Sequence, residues 1–233
     1  MTDMSVKDFF LNFFISFFSI FLGMLCTFVG QGMIDRAADR MEVRTSLELI
    51  RTELVKNRED IKEMGELMEK ERKSAQYFLD NRSKIDRCPA DSIKYHGGLV
   101  FADISIVLTQ DALELLKMSS MFQKIGDNST SMKIIRAYET CSSSASYLNG
   151  HEATKSQMIG NGINDRTVQR TDPPGGINVK EYIKSGYGLY FMRWLSTSFF
   201  DYDLQAAADL NSAIEAIDDY LTPVRIKRKQ NKR

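Results

Sequence analysis

Histidine is nearly missing from this 233-residue chain, which has only His96 and His151. Imidazole is the commonest metal ligand and the commonest general base near neutral pH, so metal centres and His-based catalysis have little material here. "HEATK" at His151 lacks the second His, one helical turn on, that a zinc-protease helix needs. Cysteine is almost as scarce. Cys26 falls in an apolar run, and neither Cys88 nor Cys141 has a second Cys or His close by, which excludes a zinc-ligand pattern. Free thiols are the expectation, with a Cys88 to Cys141 disulfide as the alternative in an oxidising compartment.

Excess charge of either sign is also lacking. Lys plus Arg and Asp plus Glu stand at 31 each, so the net charge is zero. A surface built throughout to grip nucleic acid would be basic, and no specific nucleic-acid partner is expected. Prolines number four and glycines 14. The two glycines of "GNGIND" come without the preceding strand, Lys or Ser/Thr of a phosphate-cradling loop and read as a turn. "DPPGG" reads as a rigid bend. The acidic pairs Asp218 with Asp219 and Asp111 with Glu114 read as solvated helix surface, since calcium takes several carboxylates converging from a loop. No Ser or Cys nucleophile has a recognisable base beside it. The chain is therefore read as non-enzymatic, with no catalytic, cofactor or metal residues assigned. Were there an unrecognised site, Tyr138, Glu139 and His151 would be the first positions to substitute.

What the chain does have is "FFLNFFISFFSIFLGMLCTFVG", residues 9–30, with eight Phe and no charge. Phe9 to Val29 makes a helix roughly 30 Å long, the thickness of a bilayer's hydrocarbon. The leader, residues 1–8, has one Lys against two Asp, and "CTFVGQG" is a poor small-residue cleavage site. A retained transmembrane anchor is therefore favoured over a cleaved signal or a buried core helix. Arg36, Arg40 and Arg44 downstream outweigh Lys7 and the terminal amine upstream, placing the carboxyl-terminal bulk in the cytoplasm.

Residues 31–82 contain no Pro, so nothing obliges the anchor helix to stop at the membrane surface. Read in sevens, Leu47, Leu54, Ile61, Met68 and Ala75 share one position. Val43, Ile50, Met64 and Phe78 share the position three later. The run from Val43 to Met68 is a candidate self-association seam. The favoured reading beside it, which does not exclude it, is the first amphipathic helix of the chain's own bundle, packed on its later helices. Asn57 and Glu71 interrupt the seam, and Arg40 falls on it near the membrane.

Residues 83–222 read as a helical extramembrane domain. Pro89, Gly97 and Gly98 mark a turn. Ile104, Val107, Leu108, Ala112, Leu115, Leu116 and Phe122 recur at helical spacing, and a further helix is expected from Ser131 to Leu148 with Met132, Ile135, Tyr138 and Ala145 inward. An irregular loop is expected over 149–180. A last helix runs from Asp203 to Leu221, lined by Leu204, Ala207, Ala208, Ile214, Ile217 and Leu221. "LVFADISIVL" and "YGLYFMRWL" are rich enough in β-branched or aromatic residues to be strands instead. Trp194 in the second reads as core or as a contact with the membrane. The fold class is all-α: a transmembrane helix continuing into a long amphipathic helix, packed in a small helical bundle.

The tail, residues 223–233, closes with "RIKRKQNKR", which holds six basic residues and no acidic one. Arg225, Lys227, Arg228, Lys229, Lys232 and Arg233 are candidates for contact with anionic lipid, against a plainly solvated end.

"DALELLKMSSMFQKIGDNSTSMKIIRAYETC", taken with the anchor and "LELIRTELVKNREDI", resembles an uncharacterised group of bacterial single-pass membrane proteins of unknown function. The likeness covers roughly residues 10–148, though the lysine-rich leader often seen in that group is missing. It implies a small inner-membrane protein with a helical extramembrane domain, and carries no reaction or binding residues. The expected function is self-association or docking of another protein at the bilayer, with no cofactor and no small-molecule ligand assignable. The alternative is a membrane effector, of stress or phage-defence type, whose soluble domain senses a signal and acts on the membrane.

Overall fold

The computed structural model describes residues 6–103, 105–119, 121–163, 170–171 and 176–222, with side chains described from residue 14 onward except at 104, 121, 163, 170–171 and 176–177. Its main feature is one helix, α1, from Val6 to Asn81, 76 residues without a break. At about 1.5 Å per residue it is roughly 110 Å long. Between residues 14 and 42 none of its side chains is buried, and among the described residues nothing covers the apolar segment. It is long and apolar enough to cross a membrane. A helix buried in this chain's own core would show the opposite.

Burial begins at Val43. Val43, Leu47, Ile50, Leu54, Ile61, Met68, Ala75 and Phe78 are each exposed by 2% or less, while Met64 is partly buried. The partners of this stripe are the chain's own later helices. After a tight turn over Arg82–Arg87 come α2 (Ala90–Val100), α3 (Asp111–Met118), α4 (Met121–Lys124) and α5 (Asn128–Ile163). A two-residue antiparallel ladder, β1 (Arg170–Thr171) with β2 (Gly176–Ile177), precedes α6 (Val179–Lys184), α7 (Gly186–Thr197) and α8 (Ala208–Leu221). The seam therefore reads as the core edge of a single chain. Self-association through Val43, Leu47, Ile50, Leu54, Ile61, Met64 and Met68 would require the bundle to open.

The core has two parts along α1. The part nearer the apolar segment joins Leu47, Leu54 and Ile61 to Leu116, Tyr138 and Leu210. The part farther away joins Ala75 and Phe78 to Val100, Tyr182 and Phe191. α8 runs opposite to α1, since Arg58 meets Asn211 at 3.1 Å and Arg51 meets Asp218 through a two-pronged contact at 2.5 and 3.2 Å. Gly188 allows α7 to start where it does: a Cβ there would stand 1.8 Å from the carbonyl oxygen of Tyr182. Gly126, at φ 71°, takes the left-handed turn into α5.

Several expectations are corrected. "YGLYFMRWL" is helical, in α7, and "LVFADISIVL" begins with the end of α2 and continues, over its described residues, as an irregular connector. Residues 105–110 form no helix, Val107 is 83% exposed, and Ile104 lies outside the described residues. α5 runs on to Ile163, so the expected loop over 149–180 is helical for nearly its first half, "GNGI" included. Met132 faces water, and Ile134, Ala137 and Cys141 turn inward with Tyr138. The last helix opens with one π turn, Asp203–Ala207. A π turn holds an extra residue and shifts the phase of the buried face. Ala206 and Leu210 thus point inward while Leu204 is 80% exposed.

Candidate functional site

The polar residues that break the seam are the ones with partners to explain. Asn57 is fully buried on α1, and its amide pairs with Thr109 in both directions, Nδ2 donating to the carbonyl at 2.8 Å and Oδ1 accepting from the N–H at 3.2 Å. Asn149 on α5 treats Ile106 alike, at 3.0 and 3.2 Å. Glu53 takes the Ala112 N–H at 3.1 Å and the Tyr138 hydroxyl on its other oxygen. Irregular backbone laid over a core must find partners for its N–H and C=O groups, and here side chains supply them. They fix the connector between α2 and α3.

Lys155 anchors the connector's start, donating to the Ala102 carbonyl. Its ammonium, fully buried, also meets Glu71 Oε1 at 2.5 Å and lies 2.8 Å from Glu152 Oε2. That second contact is an ion pair without an aligned hydrogen bond, leaving Glu152 Oε2 buried with no hydrogen-bond partner. His151 Nε2 reaches Glu71 Oε2 at 3.3 Å, and its ring stacks on Trp194 with centroids 4.8 Å apart. Two carboxylates, one ammonium and one imidazole thus share a dry junction of α1, α5 and α7 between the two halves of the core. Lys155 is the one side chain within ion-pair distance of both carboxylates, so each depends on it for compensation.

A second group sits on α1 and α2. His96 Nδ1 is 3.0 Å from Ser74 Oγ, and its ring stacks on Tyr77 at 3.9 Å. Burial holds the His96 imidazole below its usual range. Ser74 is almost fully buried, so this pair packs the helices together and offers no exposed nucleophile.

Tyr138, Glu139 and His151 are not brought together. Tyr138 is buried against Glu53, and that burial, with the Glu53 carboxylate beside it, raises its phenol well above the usual range. Glu139 faces water. About 20 Å of α5 separates Tyr138 from His151. "HEATK" supplies the inward His151, Glu152 and Lys155 of one helix face. Lys155 went unremarked in the sequence, although its spacing from His151 and Glu152 was visible, as was Glu71 on an apolar position.

Cys26, Cys88 and Cys141 are free thiols. Cys141 lies in the core nearer the apolar segment, where burial and then Glu53 push its thiol up to about 12, and Cys88 packs on the farther core. Among the described residues no three His, Cys, Asp or Glu side chains converge as a metal site. A surface groove of about 510 Å³ lies open between α1 and the α7–α8 junction. Its walls mix Lys62, Lys70 and Lys73 with Glu66, Glu69, Asp201 and Asp203. Glu69 is already engaged, held down to about 2 by Arg72 and Lys73. Arg225, Lys227, Arg228, Lys229, Lys232 and Arg233 lie outside the described residues.

Comparison with protein-family models, characterised proteins and solved structures finds no match for this chain.

Proposed function

We propose that the chain is a non-enzymatic, single-pass membrane protein whose helical bundle docks another protein or a second copy of itself. One observation carries this reading. The uncovered apolar segment and the bundle's central strut are the same helix, so any partner held by the bundle is held at a fixed height and orientation above the bilayer. The polar side chains that catalysis would need are spent on fixing the connector and the α1–α5–α7 junction. Following the resemblance noted above, the membrane is the bacterial inner membrane, with the bundle on its cytoplasmic side as the Arg36, Arg40 and Arg44 flank favours.

Alkaline extraction of membranes from cells expressing the full chain tests the anchor, and release into the soluble fraction would sink it. An impermeant maleimide tests orientation at Cys88: labelling only after the inner membrane is breached agrees with a cytoplasmic bundle. Docking is tested by crosslinking intact membranes, where a chain that migrates only as a monomer would end that part of the reading.

A further inference from the structure

Walls of opposite charge face each other across the groove between α1 and the α7–α8 junction. On α1, Lys62, Lys70 and Lys73 outnumber Glu66 and Glu69, while the facing wall carries Asp201 and Asp203. Lys73 is taken up by Glu69 at 3.3 Å, but among the described residues Lys62, Lys70 and Asp203 stand in no ion pair. The two walls are thus too far apart to neutralise each other within one chain. Apolar side chains lie with them. Phe200 is buried against α1, where a Cβ at Gly65 would stand 3.1 Å from its ring. Phe199 beside it is 56% exposed, and Leu204, next after Asp203, projects into water. A hollow and the apolar side chains that could enter one occur on the same face.

The reading of α1 as the anchor limits how two copies can meet. Both stand with the same end in the bilayer, so a closed pair has its two-fold axis along the membrane normal. Each residue then meets residues of the partner at its own height, and the left wall of one groove faces the right wall of the other. Phe200 sets the junction level with Gly65, so Lys62 lies roughly 4.5 Å nearer the membrane than that level and Lys70 roughly 7.5 Å farther. α8 leaves the junction back toward the membrane, since Asn211 meets Arg58 and Asp218 meets Arg51. Asp203 is therefore nearer the level of Lys62 than Asp201 is. Opposite charges recur at matching heights on the two walls, which is what a surface that pairs with itself requires.

We propose that this groove is the docking face for a second copy of the chain. Phe199 and Leu204 of each copy lie against the groove of the other, with Lys62 and Lys70 of one opposite Asp203 and Asp201 of its partner. The inference rests on the reading of an anchored bundle that docks a partner, and names that partner and its face. The strip from Val43 to Met68 stays inside each copy's own core, so the bundle need not open. Exposed ion pairs are screened by salt, so association weakens as ionic strength rises.

The test uses two forms of the full chain, differing in tag size, in the same lipid vesicles. Both carry Cys26→Ser and Cys88→Ser. One adds Glu66→Cys on the α1 wall and the other Leu204→Cys, and a short bismaleimide joins them where they meet. The control replaces Glu66→Cys by Met132→Cys, exposed on α5. α5 lies on the other side of α1, because Glu53 and Glu71, which face it, are each nine residues and so half a turn from Lys62. Joining of 66 to 204 is expected to be severalfold faster than joining of 132 to 204, and to slow in high salt. Lys62→Glu with Lys70→Glu on the first chain should slow it severalfold, and Asp203→Lys on the second should restore it. Asp201 is left in place because its carboxylate accepts the Leu204 N–H at 3.2 Å. Joining at 66 no faster than at 132 overturns this face, and crosslinks of the unaltered chain elsewhere in intact membranes would then leave docking by the bundle standing. A loss that Asp203→Lys deepens overturns the pairing of the walls. No crosslinked species of any kind, in vesicles or in intact membranes, ends the docking reading as well.

Discussion

Lys155 Nζ lies 2.5 Å from Glu71 Oε1 with the two side chains 0% and 1% exposed, an ion pair sealed between α1 and α5. Removing one partner strands the other in a dry site, at a cost of about 3 to 5 kcal/mol. Lys155→Met is worse placed than most such changes, because Ala102 loses its donor and Glu152 its ion-pair partner. We expect thermal unfolding of the detergent-solubilised full chain, followed by circular dichroism, to show a loss of that size. Glu71→Leu combined with Lys155→Met should recover at least half of it. A double variant as unstable as the sum of the singles would mean that the two side chains do not compensate each other.

Asn57 separates the two ways of reading the seam. On a strip that pairs with a second copy, Asn57→Leu adds apolar contact and strengthens association. Where Asn57 pairs with both backbone groups of Thr109, the same change leaves a donor and an acceptor without partners and costs about 1 to 3 kcal/mol. Denaturant titration should therefore show destabilisation without any gain in oligomer. A more stable variant would contradict the pairing.

The outline of the fold was legible in the sequence because α1 is governed by local rules. A charge-free run and a heptad pattern free of Pro specify a long helix whatever else the chain does. What covers the heptad strip is a tertiary matter. The apolar spacing from Ile104 to Leu116 reads as helical throughout, yet residues 105–110 form no helix, and amides of Asn57 and Asn149, far away in sequence, take up the Thr109 and Ile106 backbone groups there. The sequence puts the end of α5 at Leu148, ahead of "GNGIND" and "DPPGG", and a glycine in a helix costs about 1 kcal/mol. Packing overrides that cost: a Cβ at Gly162 would stand 2.4 Å from the Tyr182 ring, so this glycine is what admits the ring against α5. The buried Glu71, His151 and Lys155 were visible only as oddities, since a charge on an inward face shows its partner only once the helices are paired.

Cys141 should make the protein alkali-sensitive. Burial keeps its thiol protonated up to about 12 when folded, while the unfolded chain releases that proton near the ordinary thiol value. Above that value the folded state holds more protons than the unfolded, so stability falls as pH rises. Tyr138 and Tyr182, both raised by burial, add to the fall. Melting temperature should decline from about pH 9 upward, and Cys141→Ala should decline less steeply, whatever its starting level. In the same samples near neutral pH, maleimide should modify Cys88 readily and Cys141 only after denaturation. Rapid modification of Cys141 in the native chain would remove the basis of this expectation.

Two glycines in helices should respond to alanine with opposite signs. At Gly98, on the exposed side of α2, an added Cβ meets nothing within 4 Å. Alanine there restricts the unfolded chain and suits the helix, so Gly98→Ala should stabilise by about 0.5 to 1 kcal/mol. At Gly188 the Cβ would lie 1.8 Å from the Tyr182 carbonyl oxygen and 2.6 Å from its carbon. Both neighbours are backbone, so α7 must shift away from α6, and the ring of Tyr182, packed against Phe101 and Phe191, shifts with it. Overpacking of this kind costs about 1 to 3 kcal/mol. Because Gly188 belongs to the farther core, Gly188→Ala should loosen α6 and α7 first and leave the contacts of α8 with α1 protected. Hydrogen exchange resolved along the chain would show it as faster exchange over 179–197 with little change over 208–221. Uniform acceleration across both segments would mean that the two halves of the core unfold as one.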